Sequence, residues 1–150
     1  MVKKIGDLVC DAIVKKGYKY DIMSYENSFD IFFNDYGEDQ LLNYHFEIVG
    51  NPKIVVLTCK LPFESKKIDM AMATSVVNDF LINGGFDYDI SNGGITYRIA
   101  TCWTDEIKDS EPFLYLIEKA QEDIKTYGSM LKDVHENKLD YNSLKEKVSR

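Results

Sequence analysis

Apolar and polar residues alternate most strictly between Phe86 and Trp103. Phe86, Tyr88 and Ile90 alternate with Asp87, Asp89 and Ser91, and Ile95, Tyr97, Ile99 and Trp103 alternate with Thr96, Arg98 and Cys102. A period of two predicts strands with one buried face. Asn92-Gly93-Gly94 between them supplies the positive φ values of a tight turn, so the pair reads as a β-hairpin. Asn83-Gly84-Gly85, just upstream, reads as the end of a helix.

The same logic orders the rest of the chain. Ile5, Leu8, Val9, Ala12 and Ile13 follow helical spacing, which predicts a helix over residues 3–17 that Gly17 terminates after Lys15 and Lys16. Four strands follow. Residues 18–25 alternate weakly, and Phe29, Ile31 and Phe33 share one face of the next strand. The turn Asp35-Tyr36-Gly37-Glu38-Asp39 leads into Leu42, Tyr44, Phe46 and Ile48, with Asn43, His45 and Glu47 opposite. Gly50-Asn51-Pro52-Lys53 is a turn signal. The fourth strand, residues 54–61, is apolar on both faces, which predicts cover on both, by helices or by a partner. A second helix is expected over about residues 65–83, with Ile68, Ala71, Met72, Ser75, Val76 and Phe80 on its main face and Met70, Ala73, Val77 and Leu81 widening it. After the hairpin, Asp109-Ser110-Glu111-Pro112 starts a long helix whose apolar residues, from Phe113 to Val134, keep helical spacing. Beyond His135 the chain turns polar, and Leu139, Leu144 and Val148 fit either a short last helix or a frayed tail. The expectation is one α+β domain over residues 1–134, with an antiparallel sheet of five to six strands in the order α-ββββ-α-ββ-α, and a polar tail over residues 135–150.

Composition narrows the function classes. With 150 residues and 45% hydrophobic content, one domain with a full core is expected. The net charge of −7 disfavours nucleic acid, since the paired lysines at 3–4, 15–16 and 66–67 are scattered and form no basic patch. No apolar run follows Lys3 and Lys4 and none reaches membrane-spanning length, so a cytoplasmic protein without membrane contact is expected. Three dispersed cysteines, Cys10, Cys59 and Cys102, fit reduced thiols.

No catalytic, cofactor or metal set emerges. The two glycine pairs lead into strands and lack the Gly-Lys-Ser/Thr helix start of a phosphate loop. Asp87 and Asp89 at i, i+2 suit a metal or acid–base role, but a solvated sheet face with an Arg98 ion pair explains them better. His45 sits on a polar strand face and His135 near a helix end, without zinc-ligand spacing. Cys59 and Cys102 read as buried strand residues, and Cys10 as a more reachable but inert thiol. The unusual feature is aromatic content: ten tyrosines, eight phenylalanines and one tryptophan. They form either a sheet core with hydroxyls at its rim or a partner-binding surface.

The chain resembles the bacterial YbjN-like family, which has the type III secretion chaperone-like fold. The resemblance covers about residues 5–134. It is carried by the Gly17-Tyr18 junction, the Gly50-Asn51-Pro52-Lys53 turn before an apolar strand and the Leu61-Pro62-Phe63 exit. The segment from Val77-Asn78 to Gly84-Gly85-Phe86 and the hairpin through Arg98 complete it. The resemblance implies a non-enzymatic, often dimeric domain with no cofactor and no catalytic motif to transfer.

The leading expectation is therefore a chaperone-like or regulatory protein-binding domain, self-associating as a homodimer, with Ile54, Val56, Tyr88, Tyr97 and Trp103 as candidate protein-contact residues. The alternative is a small-molecule binding or sensing domain with an aromatic-lined pocket between sheet and helix.

Overall fold

The computed structural model describes residues 1–37 and 40–149. Glu38 and Asp39, in the middle of the predicted turn after Asp35, lie outside the described residues. The fold is α+β, with a six-stranded antiparallel sheet in the spatial order β1-β2-β3-β4-β6-β5. The chain runs α1 (Val2–Lys15), β1 (Asp21–Ser24), β2 (Ser28–Gly37), β3 (Gln40–Gly50), β4 (Lys53–Glu64), α2 (Asp69–Asn78), β5 (Gly85–Tyr88) and β6 (Gly94–Cys102). Then come α3 (Glu111–Asp123), a π-helical turn (Ile124–Gly128), α4 (Ser129–His135) and α5 (Tyr141–Val148). Among the described residues no helix is long and apolar enough to cross a membrane.

Alternation decides which face of the sheet is inside. Ile31, Phe33, Leu42, Tyr44, Phe46, Ile48, Val55, Leu57, Ile95, Tyr97 and Ile99 are all buried, and α1 and α3 pack over them. One row crosses five of the six strands in register: Phe33 opposite Tyr44, Tyr44 opposite Cys59, Cys59 opposite Tyr97, and Tyr97 opposite Phe86. The hairpin turn forms as its glycines require: Gly93 has φ +78°, and a Cβ there would lie 2.6 Å from the Ser65 carbonyl oxygen.

Two expectations need correction and one is narrowed. β4 is covered by helices on one face only, which leaves a partner as the expected cover of the other. Val55, Leu57, Cys59 and Leu61 are buried, while Ile54, Val56 and Thr58 are half-buried on a face that carries no helix among the described residues. Helix α2 is shorter than expected and turned the other way. It buries Met70, Ala73, Thr74 and Val77, whereas Ile68, Met72 and Phe80 are exposed. A helix with apolar residues at most angles gives its periodicity no phase, and packing against β5, α4 and α5 chose the face. The thiols also exchange places: Cys10 is buried, and Cys102, on the outward parity of β6, is exposed.

The tail beyond His135 contains a helix. Asp140 accepts a hydrogen bond from the Ser143 backbone N–H (2.8 Å) and caps α5, which buries Leu144 and Val148 against α2.

Candidate functional site

The aromatic row on the inner face contains two tyrosines with different fates. Tyr97 is fully buried, and its hydroxyl donates to Asp123 Oδ2 at 2.6 Å. Asp123 is 1% exposed and also accepts from Lys119 Nζ at 2.8 Å, a bond that raises the lysine above its ordinary value. Burial, followed by the hydrogen bond to Asp123, pushes the Tyr97 phenol up, so it stays a neutral donor. Tyr44 sits two strands away in the same row and is 1% exposed. Its hydroxyl finds no partner among the described residues. Burial raises this phenol too, with the Cys59, Asp35 and Tyr18 side chains adding to the effect. Buried polar groups are nearly always hydrogen-bonded, so an orphan of this kind calls for an explanation.

The explanation is a cleft. Tyr44 lines a cavity of about 380 Å³ between one end of the sheet and the helical layer. β2 and β3 bring Asp35 and Leu42, β4 brings Leu61, Pro62 and Phe63, and the π turn brings Ile124, Lys125 and Gly128. β2 keeps its inward parity past Phe33, so Asp35 falls on the inner face. There Gln121 Nε2 donates both to Asp35 Oδ2 (3.0 Å) and to the Tyr18 hydroxyl (2.9 Å). Tyr18 stacks on Phe33 at 5.4 Å between ring centroids, and Phe33 lies nearly parallel to Tyr44 at 4.8 Å. These contacts fix the ring that carries the orphan hydroxyl. π turns within α-helices recur at functional sites, and here one supplies three of the lining residues.

The charges of the cleft are unbalanced. Asp35 has no cationic partner among the described residues. On the rim, Lys125 is exposed and makes no ion pair among them, and Lys132 approaches Glu136 Oε1 only to 4.0 Å. Burial pushes the Cys59 thiol, beneath this region, up to about 12, so it is no nucleophile at neutral pH.

The candidate contact residues named from sequence do not meet at this cleft. Ile54 and Val56 lie half-buried on the uncovered sheet face. Tyr88 is half-buried at the edge strand, and its hydroxyl donates to the Ser65 carbonyl at 2.5 Å. Tyr97 belongs to the core. Trp103 is 3% exposed, its indole N–H donating to the Val49 carbonyl at 3.0 Å, with Lys53 Nζ 5.3 Å from the ring centroid. Neither Tyr97 nor Trp103 is presented to a partner.

Asp87 pairs across the strands with Arg98 through two contacts of 2.9 and 3.3 Å, while Asp89 leaves the strand to accept from Ser91 in the turn. His45 stacks on Phe32 and pairs with Asp30, and His135 stacks on Phe63. Among the described residues no group of three or more His, Cys, Asp and Glu side chains gathers as a metal site would require. In a second, shallower depression between α2 and β5, Asn78 exchanges two hydrogen bonds with the Phe86 backbone, and Asp87 holds Arg98. Sequence reasoning missed Asp35, Gln121, Asp123 and Lys125. The available signal was parity, because Asp35 and Asp123 are charged residues on the buried phase of their elements.

No protein-family model and no curated protein matches the chain.

Proposed function

We propose that this chain is a non-enzymatic binding domain whose cleft between sheet and helical layer takes a small molecule. The observation that carries this reading is the cavity of about 380 Å³ at the end of the sheet, where Asp35 has no cationic partner among the described residues and the buried Tyr44, its hydroxyl unpartnered, forms part of the wall. Ligand sites are largely preformed apolar clefts of about 300–1,000 Å³ with a few convergent polar groups. The raised Cys59 thiol and the amide-engaged Asp35 favour binding over catalysis. Free, dispersed thiols favour a reducing compartment. The succession α-ββββ-α-ββ-α supports, as part of the same proposal, kinship with the YbjN-like proteins and their chaperone-like fold. The test is a titration of the isotope-labelled chain with a set of small polar fragments, followed by NMR. Shifts clustered at Tyr18, Leu42, Tyr44, Ile124 and Gly128 are expected. Shifts that appear only elsewhere overturn the reading.

A second reading, association with another copy through the uncovered sheet face, is favoured by one observation. Val49 pairs with Ile54, Ile54 with Cys102, and Val56 with Ala100, so five of six neighbouring outward positions are apolar, Glu47 being the sixth. Light scattering across a dilution series tests it. A dimer that Val56→Asp converts to monomer supports it, and a wild-type monomer at every concentration removes it.

A further inference from the structure

We infer that the ligand of the cleft is a small zwitterion with an apolar side group, of free amino acid or dipeptide size. This inference rests on the small-molecule reading above and gives it a substrate class. The unspent hydrogen-bonding capacity of the cleft carries it. Asp35 is an acceptor-only carboxylate among neutral neighbours, with Gln121 its donor and the Tyr18 phenol beside it. It has no cationic partner among the described residues, and a ligand ammonium supplies one. Lys125 on the rim offers an ammonium with no anion among the described residues. A ligand carboxylate pairs with it.

A ligand with only one charge leaves one end of this arrangement unmatched. An amine alone leaves Lys125 idle, and an acid alone is repelled by Asp35. A ligand carrying both charges satisfies both groups. Leu42, Leu61, Pro62, Phe63 and Ile124 give the wall an apolar stretch beside the polar Gln40, Ser129 and Lys132, and that stretch suits an aliphatic or aromatic side group. The cavity of about 380 Å³ lies at the small end of ligand sites, which limits the occupant to roughly this class.

The test is calorimetric titration of the full chain with L-phenylalanine, L-leucine and a Phe-Leu dipeptide. Phenethylamine serves as the ammonium-only control and 3-phenylpropionate as the carboxylate-only control. At least one zwitterion should bind about tenfold or more tighter than both controls, since each charge-assisted hydrogen bond is worth about 1.5–3 kcal/mol. Asp35→Asn keeps an oxygen for Gln121 and so preserves the local fold. It should weaken the zwitterion and phenethylamine about tenfold and leave 3-phenylpropionate no weaker, whereas Lys125→Gln should weaken the zwitterion and 3-phenylpropionate and leave phenethylamine no weaker. Binding by the dipeptide alone supports the inference at the larger size. Equal binding of a zwitterion and either control, or indifference to Asp35→Asn, overturns the ligand class. The small-molecule reading survives that result if neutral fragments still shift the cleft signals. Silence of those signals toward charged and neutral probes alike overturns both.

Discussion

Tyr44→Phe should stabilise this protein, and the chemically identical change at Tyr97 should destabilise it. Both rings occupy one row on the inner face of the sheet and both are almost fully buried. At Tyr97 the lost hydroxyl leaves the Asp123 carboxylate, 1% exposed, with Lys119 as its remaining donor. Hydrogen bonds to buried charged acceptors are worth about 1.5–3 kcal/mol, and that is the expected cost. At Tyr44 no bond is lost, because the hydroxyl has no partner among the described residues. The change instead relieves the desolvation penalty of an unsatisfied hydroxyl, about 1–3 kcal/mol, and the ring contact with Phe33 is kept. A net gain of about 1–2 kcal/mol raises the Tm by about 2–8 °C in a domain of this size. Calorimetry and urea unfolding with an unchanged denaturant slope provide the measurement. If Tyr44→Phe lowers the Tm as far as Tyr97→Phe does, the Tyr44 hydroxyl is hydrogen-bonded in the native state, and the argument for an unmet donor in the cleft collapses.

The remaining predictions concern other parts of the fold. In the native protein a disulfide thiol reagent should modify Cys102 quickly, and Cys10 and Cys59 only on unfolding, because burial raises both buried thiols; mass mapping of the labelled peptides reads this. Gly93→Ala should cost more than the ~1–2 kcal/mol of a left-handed conformation, because its Cβ would press on the Ser65 backbone. Gly17→Ala, at φ +86° with open space around it, should cost only that conformational part; urea melts compare the two. The Asp140 carboxyl is held below its ordinary value of 3.8 chiefly by the Ser143 backbone N–H it accepts from. Its contribution to α5 is therefore complete above that value and is lost as pH falls through the lower, folded one. Circular dichroism of the wild type against Asp140→Asn should show this acid-side loss in the wild type only.

What was legible from sequence depended on range. Leu42, Tyr44, Phe46 and Ile48 announced β3 because alternation with Asn43, His45 and Glu47 is a local property of a half-buried strand. The hairpin and the stop after α1 were legible for the same reason, since Gly93 and Gly17 answer to their own backbone angles. Failure came where apolar residues fill both phases. Ile54 and Val56 read like Val55 and Leu57, so β4 seemed covered on both sides, and only the placement of the helices separates them. The same ambiguity turned α2 around. The cleft was hidden for a different reason. Tyr18, Asp35, Tyr44, Gln121 and Lys125 meet only after β2, β3 and the long helix are packed, and in sequence Tyr44 is indistinguishable from any core tyrosine.

The contrast between the two tyrosines also locates where the helical layer stops matching the sheet. Up to Asp123, α3 answers each polar group beneath it: Gln121 serves Tyr18 and Asp35, and Asp123 serves Tyr97. From Ile124 the helix widens into a π turn whose cleft-lining residues are an isoleucine, a rim lysine and a glycine, none of which accepts a hydrogen bond from Tyr44. A better-packed core was open to this chain through a single atom, since phenylalanine at position 44 would remove the mismatch. A donor held unsatisfied beside a cavity, on a ring stacked firmly between neighbours, is strain of the kind that folds concentrate at binding sites. The orphan hydroxyl, the π turn and Asp35, which has no cationic partner among the described residues, therefore gather at one end of the slot, and the stability measured on Tyr44→Phe reports what that arrangement costs the empty protein.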